Sequence, residues 1–195
     1  MGKLQTGVSF RSLLGLPPSK PTTSDSVLII IDAQNEYDYG HLEIWDLESS
    51  RPNILAVLEK YRAANGDVVH VVHDTPAGTP VFTPGTSTSE IFPELKPLEK
   101  EKIVHKTHPS SFTDTVLHGH LQSLGKKKIV LVGYMAHNCV SSTSRIGAEL
   151  GYDVTVLRDA VGDRDIPGAS AKQQIDVVMA ELGDVSATIL TTKDL

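Results

Sequence analysis

The sequence predicts an α/β protein, a three-layer sandwich in which a mainly parallel sheet is flanked by helices. Three observations carry this expectation. Short apolar runs with a β-branched bias, Val27 to Ile31, Ile129 to Val132 and Val154 to Leu157 among them, lack polar alternation, as strands buried on both faces do. Segments with helical spacing of apolar residues lie between them, and strands alternating with helices build parallel sheets. The 195 residues suit one domain, a size at which roughly 70% of the unfolded surface is buried.

Taken in order, residues 1–26 contain Pro17, Pro18, Pro21 and a Ser/Thr cluster and read as an N-terminal arm, with the domain spanning 27–195. Phe10, Leu13, Leu14 and Leu16 give the arm an apolar cluster that can dock on its own subunit or on a neighbour. Val27 to Ile31 is the first strand and ends at Asp32, followed by Gln34, Glu36 and Tyr37. Ser49 or Ser50 caps a helix with Pro52 in its first turn and an apolar stripe of Ile54, Leu55, Val57, Leu58 and Tyr61. Asp67 to His73 is the second strand, followed by Asp74. The Pro-, Gly-, Ser- and Thr-rich stretch from Thr75 to Lys100 is a long loop at the sheet's carboxyl edge, where substrate pockets are commonly shaped.

Lys102 to His105 forms a short third strand that Lys106 terminates, and Thr113 opens a helix through Leu117, Leu121 and Leu124 to Gly125. Lys127 to Leu150 reads as strand, tight turn at Gly133 and helix from Ser141, with the only cysteine, Cys139, at or just before the helix N-terminus. After Gly151 come a strand from Val154 to Leu157, an irregular run to Gly168, a helix through Ile175, Val178 and Leu182, and a closing strand from Ser186 to Leu190.

Eighteen basic against twenty-four acidic residues give a net charge of −6. That balance argues against a nucleic-acid partner and leaves a small molecule as the expected one. No apolar run reaches the ~18 residues of a membrane span, and the N-terminus lacks a hydrophobic signal core. A single cysteine forms no internal disulfide, so a cytoplasmic protein is expected. Met1-Gly2 with Thr6 formally fits an N-myristoylation pattern.

The residues that carry chemistry stand at strand ends. Free cysteine ordinarily packs as a small hydrophobe, a lone aspartate after a strand ordinarily caps a turn, and a lysine is ordinarily solvated. Asp32, Lys106 and Cys139 nevertheless share one kind of position, the carboxyl end of a parallel strand, where ligands of open α/β sheets bind. Together they supply what covalent acyl transfer requires. Asp32 would take the thiol proton and later return it to a leaving group. Lys106 would hold the carboxylate and lower the thiol pKa, and Cys139 would attack the carbonyl. Backbone N–H groups of Ala136 and Cys139 would stabilise the oxyanion. Pocket residues are expected from Gln34, Tyr37, Trp45, Phe112 and Met135. His73 and Asp74 fall short of the three or four convergent ligands of a zinc or iron site, so no metal and no cofactor is expected.

Asp32-x-Gln34 after a buried strand, Lys106 followed by Ser111-Phe112, and Gly133-x-x-Ala136-x-x-Cys139-Val140 resemble the isochorismatase-like cysteine hydrolase family over about residues 27–190. The resemblance implies the Rossmann-like sandwich, a homo-oligomer, an Asp-Lys-Cys triad at Asp32, Lys106 and Cys139, and a non-proline cis peptide between Met135 and Ala136. The family usually carries Thr where this chain has Ala136, so a hydroxyl contact is absent while a backbone donor remains. Histidines at the spacing of nicotinamidase-like metal sites are not found. Isochorismatases cleave a vinyl ether through the aspartate without a thiol nucleophile. The retained Cys139 therefore favours hydrolysis of an amide or carbamoyl C–N bond, with isochorismate hydrolysis as the alternative. A non-catalytic scaffold and a redox-sensing thiol are the minor readings.

Overall fold

The computed structural model describes residues 7–195; the pattern at Gly2 and Thr6 lies outside the described residues. Six strands, β1 (Ser26–Ile31), β2 (Asp67–His73), β3 (Lys102–Lys106), β4 (Lys128–Gly133), β5 (Asp153–Val161) and β6 (Ala187–Leu190), form one all-parallel sheet in the order β3-β2-β1-β4-β5-β6. The helices are α1 (Phe10–Leu13), α2 (Glu36–Tyr39), α3 (Leu47–Ala63), α4 (Leu117–Ser123), α5 (Ser141–Glu149) and α6 (Ala171–Val185).

Every residue of β1 is buried, as its uninterrupted run of Val, Leu and Ile requires between two helical layers. Alternate residues feed two cores. Val27, Ile29 and Ile31 join Leu117, Leu121, Val178 and Leu182 on one face, while Leu28 and Ile30 meet Ile54, Val57, Leu58 and Tyr61 of α3 on the other. The strand order reverses at β1 and β4, which places a ligand crevice above their carboxyl ends.

Four boundaries differ from expectation. Helix α3 starts at Leu47, with Asp46 in the left-handed region at φ 54°, and Pro52 sits inside it. Helix α4 starts at Leu117, because Asp114 at φ 54° and the Thr115 hydroxyl bonded to the Ser111 carbonyl keep the preceding residues in turns. Strand β5 runs on to Val161, since an irregularity between Leu131 and Gly133 lets Gly133 pair with Val161. A π turn, Ala136–Val140, leads directly into α5, so Cys139 lies within the helical run and not ahead of it. The arm lies against the body through Phe10 N–H on Asp184 at 2.7 Å and Ser19 N–H on Thr188 at 2.7 Å. The side chains of Phe10, Leu13, Leu14 and Leu16 stay exposed.

Candidate active site

Asp32 caps β1 in the left-handed region at φ 50°, with its N–H on the Val71 carbonyl at 3.0 Å. This conformation, which short polar side chains tolerate, turns the chain out of the sheet at the crevice. Gly133 is required one strand over. Its φ is 113°, and a Cβ there would lie 2.1 Å from the Ile31 carbonyl oxygen. Lys106 ends β3 in register with His73 of β2, and the π turn after β4 delivers Cys139.

These elements bring the three expected groups together. Lys106 Nζ lies 2.8 Å from Asp32 Oδ2 and 3.3 Å from Cys139 Sγ. Asp32, Lys106 and Cys139 are 0%, 2% and 3% exposed. The Lys106–Asp32 contact is an ion pair without hydrogen-bond alignment, and neither carboxylate oxygen has a hydrogen-bond partner among the described residues. Asp32 is thereby open to accept or pass a proton.

Burial pushes the Cys139 thiol well above its ordinary value; the Asp32 charge adds to this and the Lys106 charge opposes it. The pull of Lys106 expected from the sequence is present but outweighed, so the resting sulfur is a thiol. For Lys106 burial works against the ammonium, yet Asp32 and Cys139 raise its pKa above the ordinary lysine value.

A fourth group joins them: His73 Nδ1 is 2.9 Å from Lys106 Nζ. Donor atoms of Asp32, His73 and Cys139 all lie within 4.8 Å of one another, a spacing that suits a metal ion. Lys106 Nζ contacts each of the three, and its ammonium is the cation they hold.

The turn departs from expectation in its backbone. The non-proline cis bond joins Tyr134 to Met135, one residue ahead of the expected Met135–Ala136 bond. The Ala136 N–H donates to the Gly162 carbonyl at 2.9 Å and is committed there, whereas the Met135 N–H has no acceptor among the described residues. Met135 thus supplies a free donor at the turn.

The expected pocket residues divide. Tyr37 is buried beside the centre, its phenol pushed up by burial and then by the charges of Cys139 and Asp32. Met135 is buried and contributes backbone. Gln34 is a brace: its Nε2 donates to the carbonyls of His73 at 3.0 Å and Ser89 at 2.8 Å, and its Oε1 accepts the His73 N–H at 2.9 Å. Its polar atoms have no capacity aimed at a substrate. Phe112 belongs to the core, stacked on Tyr152 with ring centres 5.6 Å apart. Trp45 is 48% exposed and lines a cleft with His41 and Arg164, outside the buried centre.

Two features carried no recognisable sequence signal. Phe82, from the long loop, is buried with its ring 5.2 Å from both Tyr37 and His73 and closes the centre. Asp163, fully buried, takes the His137 N–H at 2.9 Å and His137 Nδ1 at 2.7 Å and so anchors the π turn.

The isochorismatase domain profile matches residues 26–193. The chain is 61% identical over 187 residues to the protein named "Secreted isochorismatase effector Isc1" of Verticillium dahliae, covering 96% of this chain and 98% of that one. A streptothricin hydrolase of Streptomyces noursei is 30% identical, over 73% of this chain and 51% of that protein. The crystal structure of an isochorismatase from Pseudomonas putida superposes with a TM-score of 0.94 at 32% identity, covering 97% of this chain and 100% of that one. The Verticillium relative is named as secreted, which overturns the cytoplasmic expectation. One cysteine has no partner to oxidise with in any compartment, so it never discriminated between them. No helix among the described residues is long and apolar enough to cross a membrane. Profile, relatives and fold agree that the chain is a hydrolase and that it belongs to the isochorismatase family.

Proposed function

We propose that the chain hydrolyses a small molecule at the Asp32–Lys106–Cys139 centre, and that the bond cleaved is the vinyl ether of isochorismate. The observation that carries the substrate is the 61% identity, over nearly the full length of both chains, to a protein named an isochorismatase effector. It moves the balance away from the C–N reading that the cysteine favoured. Asp32, with two unpartnered carboxylate oxygens beside an ammonium, is the group able to shuttle the proton. The vinyl-ether methylene carbon takes a proton through Asp32, and the ether carbon becomes an oxocarbenium ion. Water adds there and returns a proton to Asp32, and the hemiketal breaks into pyruvate and the dihydroxy-dihydrobenzoate. Lys106 fixes Asp32 and offsets its charge, and no bond to sulfur forms.

Cleavage of an amide or carbamoyl C–N bond is the second reading. It is favoured by the contact of the retained Cys139 with Lys106 and by the relative named a streptothricin hydrolase. There Asp32 takes the thiol proton, sulfur attacks the carbonyl, and Asp32 returns the proton to the leaving nitrogen. Water then releases the thioester. The N–H groups of Met135 and Cys139 hold the oxyanion, each donor being worth roughly 3 to 4 kcal/mol. The homo-oligomeric state implied by the family resemblance belongs to the same proposal, with the exposed arm as its available apolar surface.

A panel of isochorismate, nicotinamide, ureidoacrylate and N-carbamoyl compounds separates the readings. Pyruvate release that survives Cys139→Ala and is lost in Asp32→Ala is expected. Turnover confined to a C–N substrate and abolished by Cys139→Ala would replace the vinyl-ether reading.

A further inference from the structure

We propose that His73 is a positioning residue of this centre and acts through Lys106: its Nδ1 accepts a hydrogen bond from the ammonium and so holds it between Asp32 and Cys139. The inference rests on the reading of Asp32, Lys106 and Cys139 as the working centre.

An ammonium carries three N–H donors and no acceptor. Lys106 Nζ has three polar neighbours: Asp32 Oδ2 at 2.8 Å as its counter-charge, and His73 Nδ1 at 2.9 Å and Cys139 Sγ at 3.3 Å as hydrogen-bond acceptors. His73 Nδ1 is the nearer of the two hydrogen-bond acceptors. Because lysine only donates, the tautomer of His73 is fixed, with Nδ1 bare and the proton on Nε2. Burial, and then the Lys106 charge, lower the His73 pKa, while Asp32 and Asp74 oppose this and His108 adds to it. The ring stays neutral, so Nδ1 remains available as an acceptor.

The imidazole is also aimed. Gln34 grips both the N–H and the carbonyl of His73, at 2.9 and 3.0 Å, and Phe82 lies over the ring. A buried ammonium that loses an acceptor is left with an unpaired N–H, which disfavours its charged form and loosens its position. Its hold on a developing thiolate weakens with it.

The test is the pH profile of Cys139 alkylation by iodoacetamide in the wild type, His73→Leu and His73→Asn. The midpoint reads thiolate stability and the plateau reads access; looser packing under Phe82 would raise the plateau and, by hydrating the sulfur, lower the midpoint, opposite to the shift expected here. His73→Leu is expected to raise the midpoint by about one pH unit, which is about tenfold less thiolate at a given pH. His73→Asn, whose Oδ1 takes the place of Nδ1, is expected to return the midpoint to the wild-type value. His73→Gln, which leaves the Nδ1 position empty, carries the same expectation as His73→Leu if that variant does not fold. An unchanged midpoint in the variant lacking the acceptor, or a His73→Asn midpoint displaced equally far, overturns the proposal. Lys106→Ala separates the two levels: no shift there defeats the reading of the centre itself, whereas a shift there without one in His73→Leu defeats only the role of His73.

Discussion

The ring of Phe82 lies 5.2 Å from the imidazole of His73, tilted by 57°, and 5.2 Å from the ring of Tyr37 at 71°. Phe82 holds this place from a left-handed backbone, φ 50°, an uncommon conformation for a bulky residue. Phe82 and Tyr37 thus close over a centre in which Asp32, Lys106 and Cys139 are at most 3% exposed.

Removing the seal has a measurable result. Phe82→Ala is expected to lower stability by about 3 kcal/mol, as for other buried phenylalanines, while the alkylation plateau of Cys139 rises several-fold. Equal plateaus in Phe82→Ala and wild type would show that entry to the centre does not pass under this ring.

The buried ion pair makes a second prediction. Lys106→Met leaves the Asp32 carboxylate buried without its counter-charge and is expected to cost about 3 to 5 kcal/mol. The double variant Asp32→Asn/Lys106→Met removes both charges and is expected to recover part of that loss. Urea unfolding of the two variants decides it, and a double variant less stable than Lys106→Met contradicts the argument.

Two glycines should differ sharply. Gly133→Ala places a Cβ 2.1 Å from backbone, the Ile31 carbonyl oxygen, at φ 113°. It is expected to destabilise by at least about 4 kcal/mol, the range reserved for backbone conflicts of this kind. Gly147→Ala meets only side-chain atoms, of Ile129 and Phe112 at 3.2 Å and of Val154 at 3.4 Å, and about 1 to 3 kcal/mol is expected for such overpacking. Thermal melts of the two variants test the order.

Stability below neutral pH depends on a group far from the chemistry. Glu101 is held at about 2: burial opposes this, but Arg62, the Leu98 N–H and His70 outweigh it. Its folded pKa lies below the model-peptide value of 4.5. The stabilisation is therefore complete above that value and is lost as pH falls from about 4.5 towards 2, up to about 3 kcal/mol in all. His70, whose own pKa burial lowers, acts in the same direction, because it charges on unfolding. Glu101→Gln is expected to flatten the acid limb of a stability-versus-pH curve; a limb of unchanged slope refutes the assignment.

The strands were legible because a strand buried on both faces is mostly apolar, so that runs such as Val27 to Ile31 and Ile129 to Val132 between turn residues stand out. Asp32, Lys106 and Cys139 were legible for a related reason: Asp32 follows such a run directly, Lys106 ends β3, and Cys139 lies in the turn that leaves β4. The beginnings of α3 and α4 were not, because positive-φ residues, Asp46 and Asp114, precede or displace them, and neither is a glycine. The identity of the free N–H in the π turn was beyond local pattern as well. Ala136 is consumed by Gly162, a carbonyl 26 residues away whose position is set only by the β4–β5 irregularity. Phe112 sits in the core and not in the expected pocket for the same reason, since composition alone does not say which aromatic meets Tyr152 and which meets Tyr37.

Strand β3 has five residues, lies at the sheet's edge and pairs only with β2, yet it carries Lys106. Side chains alternate faces along a strand, so a slip of one residue against β2 would send the lysine to the opposite side. β1 and β4 would still hold Asp32 and Cys139, but Asp32 would be buried without its counter-charge and Val104 would leave the core. The register of the outermost strand and the chemical centre are therefore one property: a molecule that loses the first loses the second, and loses stability with it.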